Sequence, residues 1–185
     1  MRTPWLLRVV ERLPLDEIVE VFQAPVRGFL GRHPRVRRAL SGSWLGHPLH
    51  PALIPIPIGA FTTGLVLDVA SLLGSTWAAR GADLAFQIGL VATVPAALTG
   101  LTEWSFLEGK ARRVAFVHAM SNLASTKLML GSVILRAMDL RGAGIAVSTL
   151  GFLVLGVGAW LGGELAYHYG AGVGRISEDR GDPEA

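Results

Sequence analysis

Residues 46–74 read GHPLHPALIPIPIGAFTTGLVLDVASLLG: two histidines, each followed by proline, then an apolar run broken by a single acid, Asp68. About 20 apolar residues are enough to carry a helix across a bilayer. The run therefore predicts a transmembrane helix over 51–74, with His47 and His50 at its threshold. Proline disfavours helical backbone in the residue before it, so both histidines are expected to be extended. In a polyproline-like segment they would share one edge, roughly 9 Å apart at about 3.1 Å per residue. Pro51 suits a first helical position, where its missing N–H is not needed.

Three further apolar stretches follow, over about 83–104, 113–137 and 143–167, joined by short loops that make neighbouring helices antiparallel. Pro95 interrupts the second and is expected to kink it. Gly158 and Gly162 form a GxxxG pair in the fourth, which reads as a close helix contact. The composition agrees: 51% of the 185 residues are hydrophobic, 17% are charged and there are 23 glycines. Mean hydropathy is +0.46. The fold expected is all-α, a four-transmembrane-helix bundle over 46–174. An amphipathic, interfacial helical segment over 1–45 precedes it, and a disordered polar tail over 175–185 follows.

In the amino-terminal segment Leu15, Ile18, Val19, Phe22, Val26 and Phe29 recur at helical intervals among Asp16, Glu17 and Glu20. Two readings fit: helices lying on the membrane with Arg32, Arg35, Arg37 and Arg38 among head groups, or a helical cap packed on the bundle. The net charge of +3 comes from arginines flanking apolar spans, which suits a lipid bilayer and not nucleic acid. The first apolar patch, Trp5-Leu6-Leu7, is short and followed by charge, so no signal peptide is expected. Lys110, Arg112 and Arg113, with Arg175 and Arg180, lie on the side of the amino-terminal arginines. The positive-inside rule then predicts two cytoplasmic termini.

That topology gathers chemistry at one face. His47 and His50 precede the first span, His118 lies a turn inside the third, Glu103 and Trp104 close the second, and Glu164, Tyr167 and His168 close the fourth. His33 stands apart, and Asp68, Asp83 and Asp139 fall at the opposite face without histidine. His118, Asn122 and Ser125 follow i, i+4, i+7 spacing and make a polar stripe. Glu164 and His168 are spaced to pair. Each group has a plain structural reading as well: interfacial anchors, interhelical hydrogen-bond glue, or a surface pair.

These residues resemble the DUF2231 family, small four-helix bacterial membrane proteins of unknown function. The resemblance rests on Gly46-His47-Pro48-Leu49-His50-Pro51, Pro57-Ile58-Gly59, Asp68, Leu98-Thr99-Gly100-Leu101 with Glu103-Trp104, His118 with Asn122, and Trp160-Leu161-Gly162-Gly163-Glu164-Leu165-Ala166-Tyr167. It covers roughly 44–174 and implies a bacterial inner membrane. Two departures stand out: Glu103 replaces the family's usual aspartate, and Tyr169 occupies the place of a frequent histidine. The resemblance also implies a redox partner of the Rieske iron–sulfur type.

Three functions fit the residues. The first is a b-type haem held by His50 and His118, with His47, Asn122, Glu103 and Glu164 around it and Gly59, Gly100 and Gly163 opening a slot; its role is electron transfer. The absence of cysteine excludes covalent c-type attachment and thiolate clusters. The second is a zinc, copper or iron centre built on His47, His50, His118 and a carboxylate. The third is a scaffold or accessory subunit without cofactor, with homo-oligomers an open possibility. No nucleotide fingerprint or nucleophile elbow is present, so no enzyme class is assigned.

Overall fold

The computed structural model describes residues 4–173, and among these there is no strand. The helices are α1 (Trp5–Arg12), α2 (Asp16–Arg32), α3 (Pro34–Ser41), α4 (Leu49–Leu53), α5 (Pro55–Leu72), α6 (Thr76–Trp104), α7 (Gly109–Ala137) and α8 (Arg141–Tyr167). The expected tail over 175–185, with Arg175 and Arg180, lies outside the described residues.

Proline and glycine set the punctuation. Pro34 and Pro55 open α3 and α5, positions where a missing N–H costs nothing. Gly42 closes α3 at φ 78°, and a Cβ there would lie 2.5 Å from the His47 carbonyl oxygen. Only glycine satisfies both demands, and the turn it makes leads the chain into His47. α6 runs through Pro95 without a break in the helix.

Leu49–Leu72, α6 and α8 are each long and apolar enough to cross a membrane. α7 matches α6 at 29 residues but is not among these three. Lys110, Arg112, Arg113, Lys127, Arg136 and the His118–Asn122–Ser125 stripe dilute its apolar character.

The chain forms two compact units. The first holds 4–52, 97–118 and 159–173 of the described residues. Its core joins Leu7, Val10 and Val19 of the amino-terminal helices to Trp104, Leu107, Val114, Ala115, Phe116, Leu161 and Leu165. Ile18 and Phe29 of the amphipathic stripe remain exposed. Buried Gln23 donates from Nε2 to the carbonyls of Trp104 (2.8 Å) and Leu107 (3.0 Å). The Trp104 carbonyl, which also accepts from the Leu107 N–H at 3.0 Å, ends α6 and Leu107 lies in the turn after it, so Gln23 ties α2 to that helix end. Arg112 reaches Glu20 at 2.7 Å and Asp16 at 3.2 Å, tying the start of α7 to α2.

The second unit holds Leu53–Ala96 and Ala119–Gly158. Phe61 lies over Gly89 and Phe86 over Gly64, where a Cβ would meet the rings at 2.4 and 2.8 Å. The absence of two side chains lets two aromatic rings fill the space between α5 and α6. Asp68, one of the three acids expected at the face opposite the histidines, is 1% exposed. Its carboxylate accepts from Nη1 and Nη2 of Arg136 at 2.7 and 2.5 Å. Burial without such a partner would be prohibitive, and a bidentate guanidinium is the strongest side-chain answer. Arg136 also donates to Ser132 and Ser148, both at 3.0 Å, and lies 4.7 Å from the Phe86 ring centroid. Arg141 pairs with Asp83 at 2.6 Å, so two arginines neutralise two aspartates.

This network generates the first prediction. Asp68→Ala removes the bidentate partner of buried Arg136, leaving it the single carboxylate contact with Asp83 at 3.3 Å, and should cost about 3 kcal/mol. Asp68→Ala with Arg136→Leu should recover much of it. Equilibrium unfolding in detergent measures both, and equal losses in the single and double variants would contradict the pairing.

Candidate histidine site

His47 lies in the short non-helical link between Gly46 and α4; it is exposed, with Nδ1 3.3 Å from the Pro48 carbonyl oxygen. His50 departs from the extended conformation expected of it. It sits in the first turn of α4, with Pro51 next in the helix. The preference against helix before proline is outweighed because Pro51 falls in the first turn, where no N–H acceptor is required. The two histidines therefore do not continue one polyproline edge.

The His50 imidazole lies on Gly100 of α6. A Cβ at Gly100 would fall 2.8 Å from its Cε1 and 2.9 Å from its Nδ1. The Thr99 hydroxyl stands 3.5 Å from Nδ1, at the outer limit of a hydrogen bond. Gly100, expected to open a slot, is thus already covered by His50. No atom lies within 4 Å of a Cβ built at Gly59 or at Gly163.

His118 repeats the arrangement on other helices. Its ring, carried by α7, rests on Gly162 of α8, where a Cβ would lie 3.0 Å from Cε1. One turn on, Asn122 lies on Gly158. Ser125 then donates to the Gly151 carbonyl at 2.8 Å. The stripe is real and turned to α8, and the glycine pair 158/162 gives space to polar side chains. Such use of small residues to admit hydrogen-bonding groups is characteristic of membrane helices.

Glu103 is half-buried at the end of α6, beside Pro48 and Gly172. Glu164 is half-buried on α8. Its expected pairing with His168 does not form. α8 ends at Tyr167, and exposed His168 turns edge-on to Tyr169, with ring centroids 4.8 Å apart. His33 stacks on Phe29 at 4.4 Å and binds its carbonyl oxygen through Nδ1 at 2.9 Å.

All five histidines, with Glu103 and Glu164, belong to the first unit; Asn122 belongs to the second, as do Asp68, Asp83 and Asp139. Among the described residues no three histidine, aspartate or glutamate side chains converge as a metal-binding group. Sequence reasoning missed three features. Thr99 carries no signal of its own in the sequence that would pair it with His50. The Asp68–Arg136–Asp83–Arg141 cluster was legible as opposite charges at one end of the spans. The contact of Tyr169 with Glu11 joins residues too far apart in sequence for any local pattern to show.

Tyr169 donates its hydroxyl to Glu11, and Lys110 pairs with the same carboxylate at 3.1 Å. The Tyr169 hydrogen bond, helped by Lys110, holds Glu11 below the usual carboxylate range against the opposing effect of desolvation. Burial first, and then the anionic neighbour, push the Tyr169 phenol upward. A lowered carboxylate adds stability that is complete above its ordinary pKa of 4.5 and is lost as pH falls through the lowered value. A raised phenol adds stability that is complete below 10.0 and is lost as pH rises further. Tyr169→Phe should therefore lower the melting temperature at neutral pH and flatten the decline at both extremes. A pH series of thermal unfolding tests this. Gly100→Ala and Gly162→Ala should each cost about 1–3 kcal/mol by displacing an imidazole, whereas Gly163→Ala, with open space around it, should be near neutral.

Residues 46–175 match the family described as predicted membrane protein (DUF2231). No curated protein and no solved structure matches the chain. The matched segment begins at the glycine before His47 and contains His50, His118, Glu103, Glu164 and, among the described residues, the three helices apolar enough to span a bilayer. It covers well over half of the sequence, and the chain belongs to the DUF2231 family of predicted membrane proteins.

Proposed function

We propose that this membrane protein is an electron-transfer subunit that holds a b-type haem through His50 and His118. The observation that carries the reading is the shared setting of these imidazoles: different helices of one compact unit supply them, and each is laid on a glycine of a further helix. The donor chemistry fits the group. Two neutral imidazoles suit low-spin haem iron, and a chain without cysteine can hold haem only non-covalently. Thr99 lies on the Nδ1 side of His50, where its hydroxyl can accept a hydrogen bond from an Nδ1 proton and so leave Nε2 free to ligate.

When bound, the group supplies a one-electron ferric/ferrous couple. The chain's own residues do the rest. Gly100 and Gly162 fix the depth and tilt of the two rings. Glu103 and Glu164, half-buried carboxylates of the same unit, bias the couple towards its more positive, oxidised state. His47, exposed at the entry to α4, stands where an electron partner of the iron–sulfur type would approach.

The accompanying topology is four spans in a bacterial inner membrane, α7 being the third in sequence, with both termini cytoplasmic. Support comes from the distribution of charge. Lys110, Arg112 and Arg113 belong to the same unit as the arginines of α1–α3, while Arg136 and Arg141 of the other unit are neutralised by aspartates.

A scaffold reading has its own support: Ser125 and Ser132 donate to α8 carbonyls at 2.8 and 2.7 Å, so polar residues of α7 also serve as plain interhelical bonds. One experiment separates the two. The visible spectrum of detergent-purified protein, expressed with ample haem, should show a Soret band and, after dithionite, sharp α and β bands. His50→Ala and His118→Ala should each abolish them, and His33→Ala should not. A featureless spectrum of the unaltered protein would leave the scaffold reading in place, and bands that survive both alanine changes would overturn His50 and His118 as the ligands.

A further inference from the structure

α7 has a second face. Met120, Leu123, Lys127, Leu130 and Ile134 are all exposed, and their spacing, alternately three and four residues, is that of a heptad a/d seam. Four members are apolar and the middle one is a lysine. The opposite face of the helix is already occupied, with His118, Asn122 and Ser125 set against α8.

The depth of Lys127 makes it unusual. At about 1.5 Å per residue, α7 is about 43 Å long against a hydrocarbon core of about 30 Å, and Lys127 stands about 15 Å from its nearer end. With the helix centred, its Cα lies about 8 Å inside the hydrocarbon. Ionisable residues at such depth are expensive and normally pair or face protein. Every other arginine or lysine of the second unit except Arg80 is paired: Arg136 and Arg141 hold Asp68 and Asp83. Lys127 has no hydrogen-bond or ion-pair partner among the described residues, and it is surrounded on its face by side chains that match a helix surface.

We propose that this face of α7 is the docking seam for a transmembrane helix of another membrane subunit, one that presents a carboxylate opposite Lys127. Charge complementarity selects that occupant. The second unit of another copy offers no spare acid, because its aspartates at helix depth are held by arginines and Asp139 lies in the turn after α7. Lys127 at an a position would also set the register of the pair, since a single polar residue in an apolar seam rejects misaligned partners. The inference rests on α7 crossing the bilayer and is independent of haem.

The test uses the full chain in liposomes with two synthetic polyleucine transmembrane peptides, one carrying glutamate at its centre and one leucine. The chain has no cysteine, so a donor dye on Met138→Cys gives a clean energy-transfer signal to acceptor-labelled peptide. The glutamate peptide should associate about fivefold more tightly than the leucine peptide. Lys127→Leu should erase that preference, and Lys127→Arg should keep it. Equal association of both peptides with the unaltered chain would overturn the proposal. So would self-association that Lys127→Leu abolishes, which would assign the seam to a second copy. Loss of anionic-lipid retention as the sole effect of Lys127→Leu would assign the ammonium to lipid phosphate and overturn it equally. Leu123→Cys, probed with a membrane-impermeant maleimide, keeps the premise separate. Protection supports a spanning α7, whereas labelling from water would defeat the topology and leave the haem test standing.

Discussion

A polar side chain placed between helices in an apolar surrounding must find its partner inside the protein, and this chain meets that constraint by facing large polar groups with glycine. His50 has Gly100, His118 has Gly162 and Asn122 has Gly158. The hydroxyls of Ser125 and Ser132 reach the carbonyls of Gly151 and Gly144, where the missing side chain exposes the backbone to a donor. Phe61 and Phe86 use Gly89 and Gly64 in the same manner with apolar rings. These glycines are therefore set by packing. Helices approach closely only where one of them has nothing to displace.

The two compact units divide the chemistry between them. The first contains every histidine and is covered by the amino-terminal helices, which Gln23, Arg112 and the Glu11–Tyr169 contact bind to the ends of α6, α7 and α8. The second contains the buried Asp68–Arg136 pair, whose worth is less in net stability than in uniqueness. Removing one partner leaves the other with only a longer contact to the neighbouring pair, Arg136–Asp83 at 3.3 Å or Arg141–Asp68 at 3.4 Å, so all four charges are satisfied best in this one arrangement.

For the histidines the packing cuts two ways. Seating on glycine gives each ring a defined place, which a ligating imidazole needs, and it fills space that an empty pocket would have left open. The haem reading uses the first property and the scaffold reading the second. Both attribute the same role to Gly100 and Gly162, as the surfaces against which the rings are set.

The sequence alone determined that the chain is helical and membrane-embedded, because long apolar runs with few charges can be satisfied in no other way. It placed the start of the first apolar helix only approximately: Pro51 reads as its first residue, whereas α4 begins at Leu49 and α5 at Pro55. The i, i+4, i+7 stripe on α7 was legible, as helical periodicity is a local property. The tertiary structure alone decided what each stripe faces. Nothing in the chain's order says that His118 meets Gly162 or that Asp68 meets Arg136, because those contacts join residues dozens of positions apart. The helical state of His50 and the loss of the Glu164–His168 pair were also decided there, where a local tendency yielded to the position of a helix end.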